Sequence, residues 1–92
     1  MTKPERPETA PTANQLRAES LERTVRGAIR DGEKPYQEWQ HGARALAHMS
    51  SALASWAEAD ELRSGRLADE FERRAAHYER EAMELVEKTR RI

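Results

Sequence analysis

The sequence predicts an all-α fold: an antiparallel helical hairpin, with helices over about 35–63 and 66–91, preceded by a shorter helix over about 14–31. Three observations carry it. Apolar residues recur at alternating spacings of three and four along two long stretches, the pattern of a coiled-coil seam. Charged residues make up 36% of the chain, and many fall into acid-then-base pairs four apart, the order that supports a helix. Isolated glycines at 32 and 65 fall where those patterns break.

Residues 1–13 hold Pro4, Pro7 and Pro11 among charged side chains. Proline withholds a backbone donor and nothing apolar is on offer to bury, so this stretch reads as a disordered tail before a single helical domain over 14–92. Thr12 and Asn14 both suit the cap of the first helix. Its apolar stripe is Leu21, Val25, Ala28 and Ile29, with Leu16 at the edge, and Glu19/Arg23 and Glu22/Arg26 are its charge pairs. Gly27 weakens its centre by about 1 kcal/mol relative to alanine. A helix this short and polar needs a partner.

Pro35 suits the first turn of the second helix. The seam there is Trp39, Gly42, Leu46, Met49, Leu53 and Trp56, with abundant alanine between. Phase is lost around Ser64 and Gly65. It resumes as Ala68, Phe71, Ala75, Tyr78, Ala82, Leu85, Thr89 and Ile92, flanked by the pairs Asp69/Arg73, Glu70/Arg74, Glu84/Lys88 and Glu87/Arg91. The slip and the glycine together predict a tight turn at Ser64-Gly65, the alternative being one helix running through Gly65. Such a turn sets residues whose numbers sum to about 129 opposite each other. Trp56 then faces Phe71 and Ala75, Leu53 faces Ala75 and Tyr78, Leu46 and Met49 face Ala82 and Tyr78, and Gly42 and Trp39 meet Leu85 and Val86. Large residues oppose small ones throughout. A bare hairpin leaves half of each stripe wet. A three-helix bundle or a dimer of hairpins follows, and the exposed faces predict association, with a protein partner and with further copies of the chain.

Composition narrows function. A chain of 92 residues with 37% hydrophobic residues builds narrow seams between helices and no deep core around an active site. The net charge of −1 supplies no basic field for nucleic acid or acidic membranes. Absence of cysteine removes disulfides and thiolate chemistry together. No stretch reaches the ~20 apolar residues that span a bilayer, and no apolar run marks a leader, so the expected location is cytoplasmic.

Few constellations carry chemistry. Glu38-x-x-His41 is half of a carboxylate-bridged di-iron pattern, but Arg74 stands where the second half needs a carboxylate before His77. His48, His77 and Glu81 are expected to meet beside the seam as a polar contact or a pH-sensitive latch. His48 with Ser51 or Ser55 lacks an orienting acid and an oxyanion loop. Gly27, Gly32, Gly42 and Gly65 are isolated, so no phosphate loop or dinucleotide fingerprint forms. Arg23, Arg26 and Arg30 share one face of the first helix and could meet phosphates. Glu19, Glu22 and Glu33 dilute that face, and Lys34-Pro35 breaks helix-turn-helix geometry.

The small size, the hairpin and the central tryptophan resemble the secreted Trp-x-Gly helical-hairpin family, whose members dimerise and leave the cell without a cleaved signal. Two marks of that family are altered. Trp39-Gln40-His41-Gly42 has one residue too many and lies inside a predicted helix. Tyr78 is followed by Ala82 where the family's C-terminal Tyr-x-x-x-Asp/Glu motif has its acid. The chain is not assigned to the family on these residues.

The expected function is therefore a non-enzymatic protein–protein interaction module, an adaptor, inhibitor or assembly component, with no cofactor, metal or small-molecule substrate. Its packing and interface residues are Trp39, Leu46, Met49, Leu53, Trp56, Phe71, Tyr78 and Leu85. Tyr36 and Met83 form a candidate second interface, joined by Leu21, Val25 and Ile29 if the first helix does not dock. The alternative is a small nucleic-acid-binding regulator using Arg23, Arg26 and Arg30.

Overall fold

A computed structural model describes residues 10–31 and 36–91, with side chains over 10–30 and 41–88. The described residues form three helices: α1 (Ala13–Asp31), α2 (Tyr36–Leu62) and α3 (Arg66–Arg91). The predicted tail lies mostly outside the described residues, as do the side chains of Tyr36 and Trp39. The end of that stretch is helix start: Thr12 is the cap and Ala13 opens α1.

Of the two cap residues that the sequence offers, Thr12 takes the role. The Gln15 amide donates to Thr12 Oγ1 (3.0 Å), and the Thr12 amide donates to Gln15 Oε1 (2.9 Å). This reciprocal capping box satisfies two amides that helix geometry leaves without intrahelical partners. Asn14 is thereby freed for tertiary contact.

The bundle runs up, down and up. Asn14 bonds Asp60, and Ile29 lies against Gly42, so α1 is antiparallel to α2. Asn14 also reaches Glu72 and Arg17 reaches Glu79, so α1 is parallel to α3. The α2–α3 pair packs most extensively, and α1 packs less. One cluster joins all three, holding Leu21, Val25 and Ala28 of α1, Ala45, Met49, Ala52 and Trp56 of α2, and Ala75, Ala82, Leu85 and Val86 of α3.

The hairpin is as expected, but its centre line is not. Leu46 and Leu53 are only half-buried; the deepest α2 residues include Ala45, Ala52 and Ala59. Ala68, Ala75 and Ala82 are their counterparts on α3. His48 stacks on Tyr78, and in that register each α2 alanine falls level with an α3 alanine. Small therefore meets small along the middle, which lets two backbones approach closely. The physical reason is that α2 has two neighbours. Its most buried line bisects them, and Leu53 is turned to the α1 side, where it joins Asn14 and Ala18 around a groove. Gly42 also faces α1 and not Leu85 and Val86: a Cβ there would lie 3.2 Å from Ile29 Cγ1.

The turn falls at Ser64-Gly65, between helices ending at Leu62 and beginning at Arg66. Two residues there take positive φ, Arg63 at 70° and Gly65 at 106°. Gly65 does so freely. Arg63 does not: a left-handed L-residue costs roughly 1–2 kcal/mol. Its amide still donates to the Ala59 carbonyl (2.9 Å), and the Asp69 amide donates to the Gly65 carbonyl (3.0 Å) at the start of α3.

Candidate interaction surfaces

The hairpin has two sides, and α1 covers one. On that side the 42/53/60 row of α2 and the 72/79/86 row of α3 face α1. At the turn end, Thr12 Oγ1 donates to Asp60 Oδ2 (2.6 Å), and Asn14 Nδ2 donates to Asp60 Oδ1 (2.9 Å) and Glu72 Oε2 (3.0 Å). Asn14 is 8% exposed. The first turn of α1 has no acid of its own, so Asp60 and Glu72 place the negative charge that a helix N-terminus favours. One turn on, Arg17 donates to Glu79 Oε1 (2.7 Å) while its guanidinium lies 4.9 Å from the centre of the Trp56 ring. One arginine thus ties α1 to both other helices.

Trp56 is the largest fully buried side chain among the described residues. Its Nε1–H is buried without a hydrogen-bond acceptor among the described residues, and His41 Nδ1 is likewise unpartnered. Beside Trp56, Asn14, Leu53, Ala57, Asp60 and Arg63 line an open groove of about 410 Å³ between α1 and α2. Both Asp60 oxygens are engaged there by Thr12 and Asn14.

The other side of the hairpin carries two rows at heptad spacing. On α2 they are Arg44, His48, Ser51, Ser55, Glu58 and Leu62; on α3, Leu67, Phe71, Arg74, Tyr78, Glu81 and Leu85. Leu62 and Leu67 are 39% and 55% exposed. Phe71 and Tyr78 are half-buried. The Arg74 guanidinium sits 5.2 Å from the Phe71 ring centre. Tyr78 stacks on His48 at 5.9 Å and meets His77 edge-on at 5.4 Å. The expected contact of His48 and His77 with Glu81 is thus replaced. The tyrosine ring stands between the histidines, and among the described residues neither histidine hydrogen-bonds Glu81.

The remaining expected residues distribute as follows. Met49 and Trp56 are core, and Leu85 is buried at its edge; Leu46, Leu53, Phe71 and Tyr78 are packed and partly exposed. Leu21 and Val25 are buried under α1 and Ile29 packs against the same cluster, so α1 docks and they offer no second interface. Met83 is 39% exposed among Glu79, Arg80, Glu84 and Glu87. Arg23, Arg26 and Arg30 are exposed on the outer face of α1, with Arg26 held by Glu22 at 3.0 Å. Glu38 of the half di-iron pattern has no described side chain. No three His, Asp or Glu among the described residues are grouped to hold a metal.

Sequence reasoning missed the tertiary roles of Arg17, Asp60, Glu72 and Glu79. Their only signal is the heptad separation of Glu72 from Glu79, which many solvated helices share. The 67/71/74/78/81/85 row was legible, since it extends the Phe71, Tyr78 and Leu85 seam by one flank. No family model matches the chain, and no match was found among curated proteins or solved structures.

Proposed function

We propose that the chain is a non-enzymatic protein–protein interaction module that also self-associates, an adaptor or assembly component working through the side of the hairpin that α1 leaves open. One observation carries this reading. Leu62, Leu67, Phe71 and Tyr78 form an apolar row, partly exposed, on a chain whose internal core is built largely from alanine. Aromatic side chains with a polar rim are the usual composition of an interface centre. The test is capture by a tagged chain from its native lysate, with and without nuclease, beside a Leu67→Glu/Tyr78→Glu variant. A stoichiometric protein that survives nuclease and is lost with the variant supports the reading. A protein retained equally by the variant removes this face from it.

A second reading has a narrower basis. Arg23, Arg26 and Arg30 point outward on one helix, a stripe that could meet phosphates. Replacement of all three by glutamine, followed by titration of DNA and RNA at two salt concentrations, tests it. Loss of a salt-dependent shift would put this face first; binding of equal strength by both chains would end the idea.

A further inference from the structure

We infer that the open side of the hairpin seats a second copy of this chain, docked in parallel about a two-fold axis that runs along the helices. This rests on the interaction reading above and names its partner. The two rows on that side differ in size. The open part of the α3 row is bulky (Leu67, Phe71, Tyr78), and the α2 row is small at its centre, with Ser51 half-buried and Ser55 buried. An axis along the helices lays the α3 of each copy over the α2 of the other. Phe71 of each copy then lies over the Ser51 to Ser55 stretch of the other, and the same fit repeats on both sides of the axis. An axis across the helices would lay bulky on bulky and serine on serine.

Charge follows the same symmetry. His48 and Tyr78 lie at nearby heights, since their rings stack. Arg44 lies four residues from His48, and Glu81 three residues from Tyr78, towards the same end of the antiparallel pair. They are therefore level to within about one helical turn, a gap that two long side chains span. They stand on opposite flanks of the open side. A two-fold axis along the helices exchanges the flanks and preserves height, so Arg44 of each copy meets Glu81 of the other. Arg44 is exposed and Glu81 is half-exposed. At the turn end, the same operation sets Leu62 within about one helical turn of Leu67 of the second copy. The area suffices: two helices of this length present roughly 40 by 20 Å, about the 800 Å² that each partner of a standard interface buries.

The experiment uses the full chain and its lack of cysteine. Sedimentation equilibrium up to about 100 µM is expected to give a dimer, in the affinity range of modest interfaces. Arg44→Glu should weaken it by about tenfold or more through like charge on Glu81, and Arg44→Glu/Glu81→Arg should restore it. A single Ser64→Cys should cross-link between copies through a short bismaleimide, because parallel docking brings both turns to one end. Circular dichroism confirms that each variant stays helical. A monomer throughout that range overturns the inference. So does a dimer indifferent to Arg44→Glu, a charge swap that fails to restore it, or a Ser64→Cys chain that dimerises without cross-linking. A monomer that still captures a protein through Leu67 and Tyr78 overturns self-pairing alone and leaves the interaction reading standing.

Discussion

The two sides of the hairpin solve different problems with similar means. On the side covered by α1, the contact is heterogeneous. It combines the Leu21 and Val25 stripe, a buried indole, an arginine shared between Trp56 and Glu79, and an asparagine clamped by two carboxylates. On the open side, aromatic and leucine side chains lie partly exposed beside serines and single charges. Between the sides runs the alanine line, which is thin enough for residues such as Trp56 to be buried from one side. The contrast teaches that closeness of the α2–α3 pair and stability of the fold come from different residues. Alanines set the spacing, and the large side chains beneath α1 supply most of the apolar area.

Substitutions can break that contrast, and the largest effect belongs under α1. Trp56→Ala should cost about 3–5 kcal/mol in urea unfolding through lost transfer energy and a residual cavity. Trp56→Phe should cost much less, because it also removes a buried donor that has no acceptor. Equal losses for the two would place the stabilisation in the indole nitrogen and refute the unpaired donor. Next in size is the alanine line. Ala52→Leu should destabilise by about 1–3 kcal/mol by forcing two packed backbones apart. A neutral result would show that α2 and α3 are less tightly apposed than their alanines imply.

Asn14→Ala should follow at about 1–2 kcal/mol, the scale of hydrogen bonds to charged acceptors. Its signature is local: amide exchange should accelerate throughout α1 and change little in α2 and α3. Uniform acceleration would make the three helices one cooperative unit. Arg63→Gly should raise stability by about 1 kcal/mol by relieving the left-handed backbone at the end of α2. The smallest effect is expected on the open side, where Leu67→Ser should alter the stability of the dilute chain by less than about 0.5 kcal/mol. A large loss would mean that this row belongs to the core.

Much of this fold was legible because helices announce themselves by period and punctuation. The three helices, the Thr12 cap and the turn at Gly65 all follow from local rules. Leu21, Val25, Met49 and Trp56 are identified as inward by spacing alone. What spacing could not show was the phase of α2. A helix with two neighbours buries a line between them, and a pattern read for a hairpin picked Leu46 and Leu53 over Ala45 and Ala52. Alanine is ambiguous in sequence, serving helix propensity and close packing equally. The clamp was hidden for a different reason. Asn14, Asp60 and Glu72 are ordinary surface residues until tertiary structure brings them together. The open side was visible as a seam, but a seam does not say what lies across it.

The clamp also gives the molecule a direction. By holding the start of α1 against Asp60 and Glu72, it fixes the first described residues at the turn end of the bundle, while α3 finishes at the far end. Ala10 therefore stands at one pole and Arg91 at the other. A label on the first pole sits beside the turn and a label on the second sits about a helix length away, so the two ends of the bundle are distinguishable.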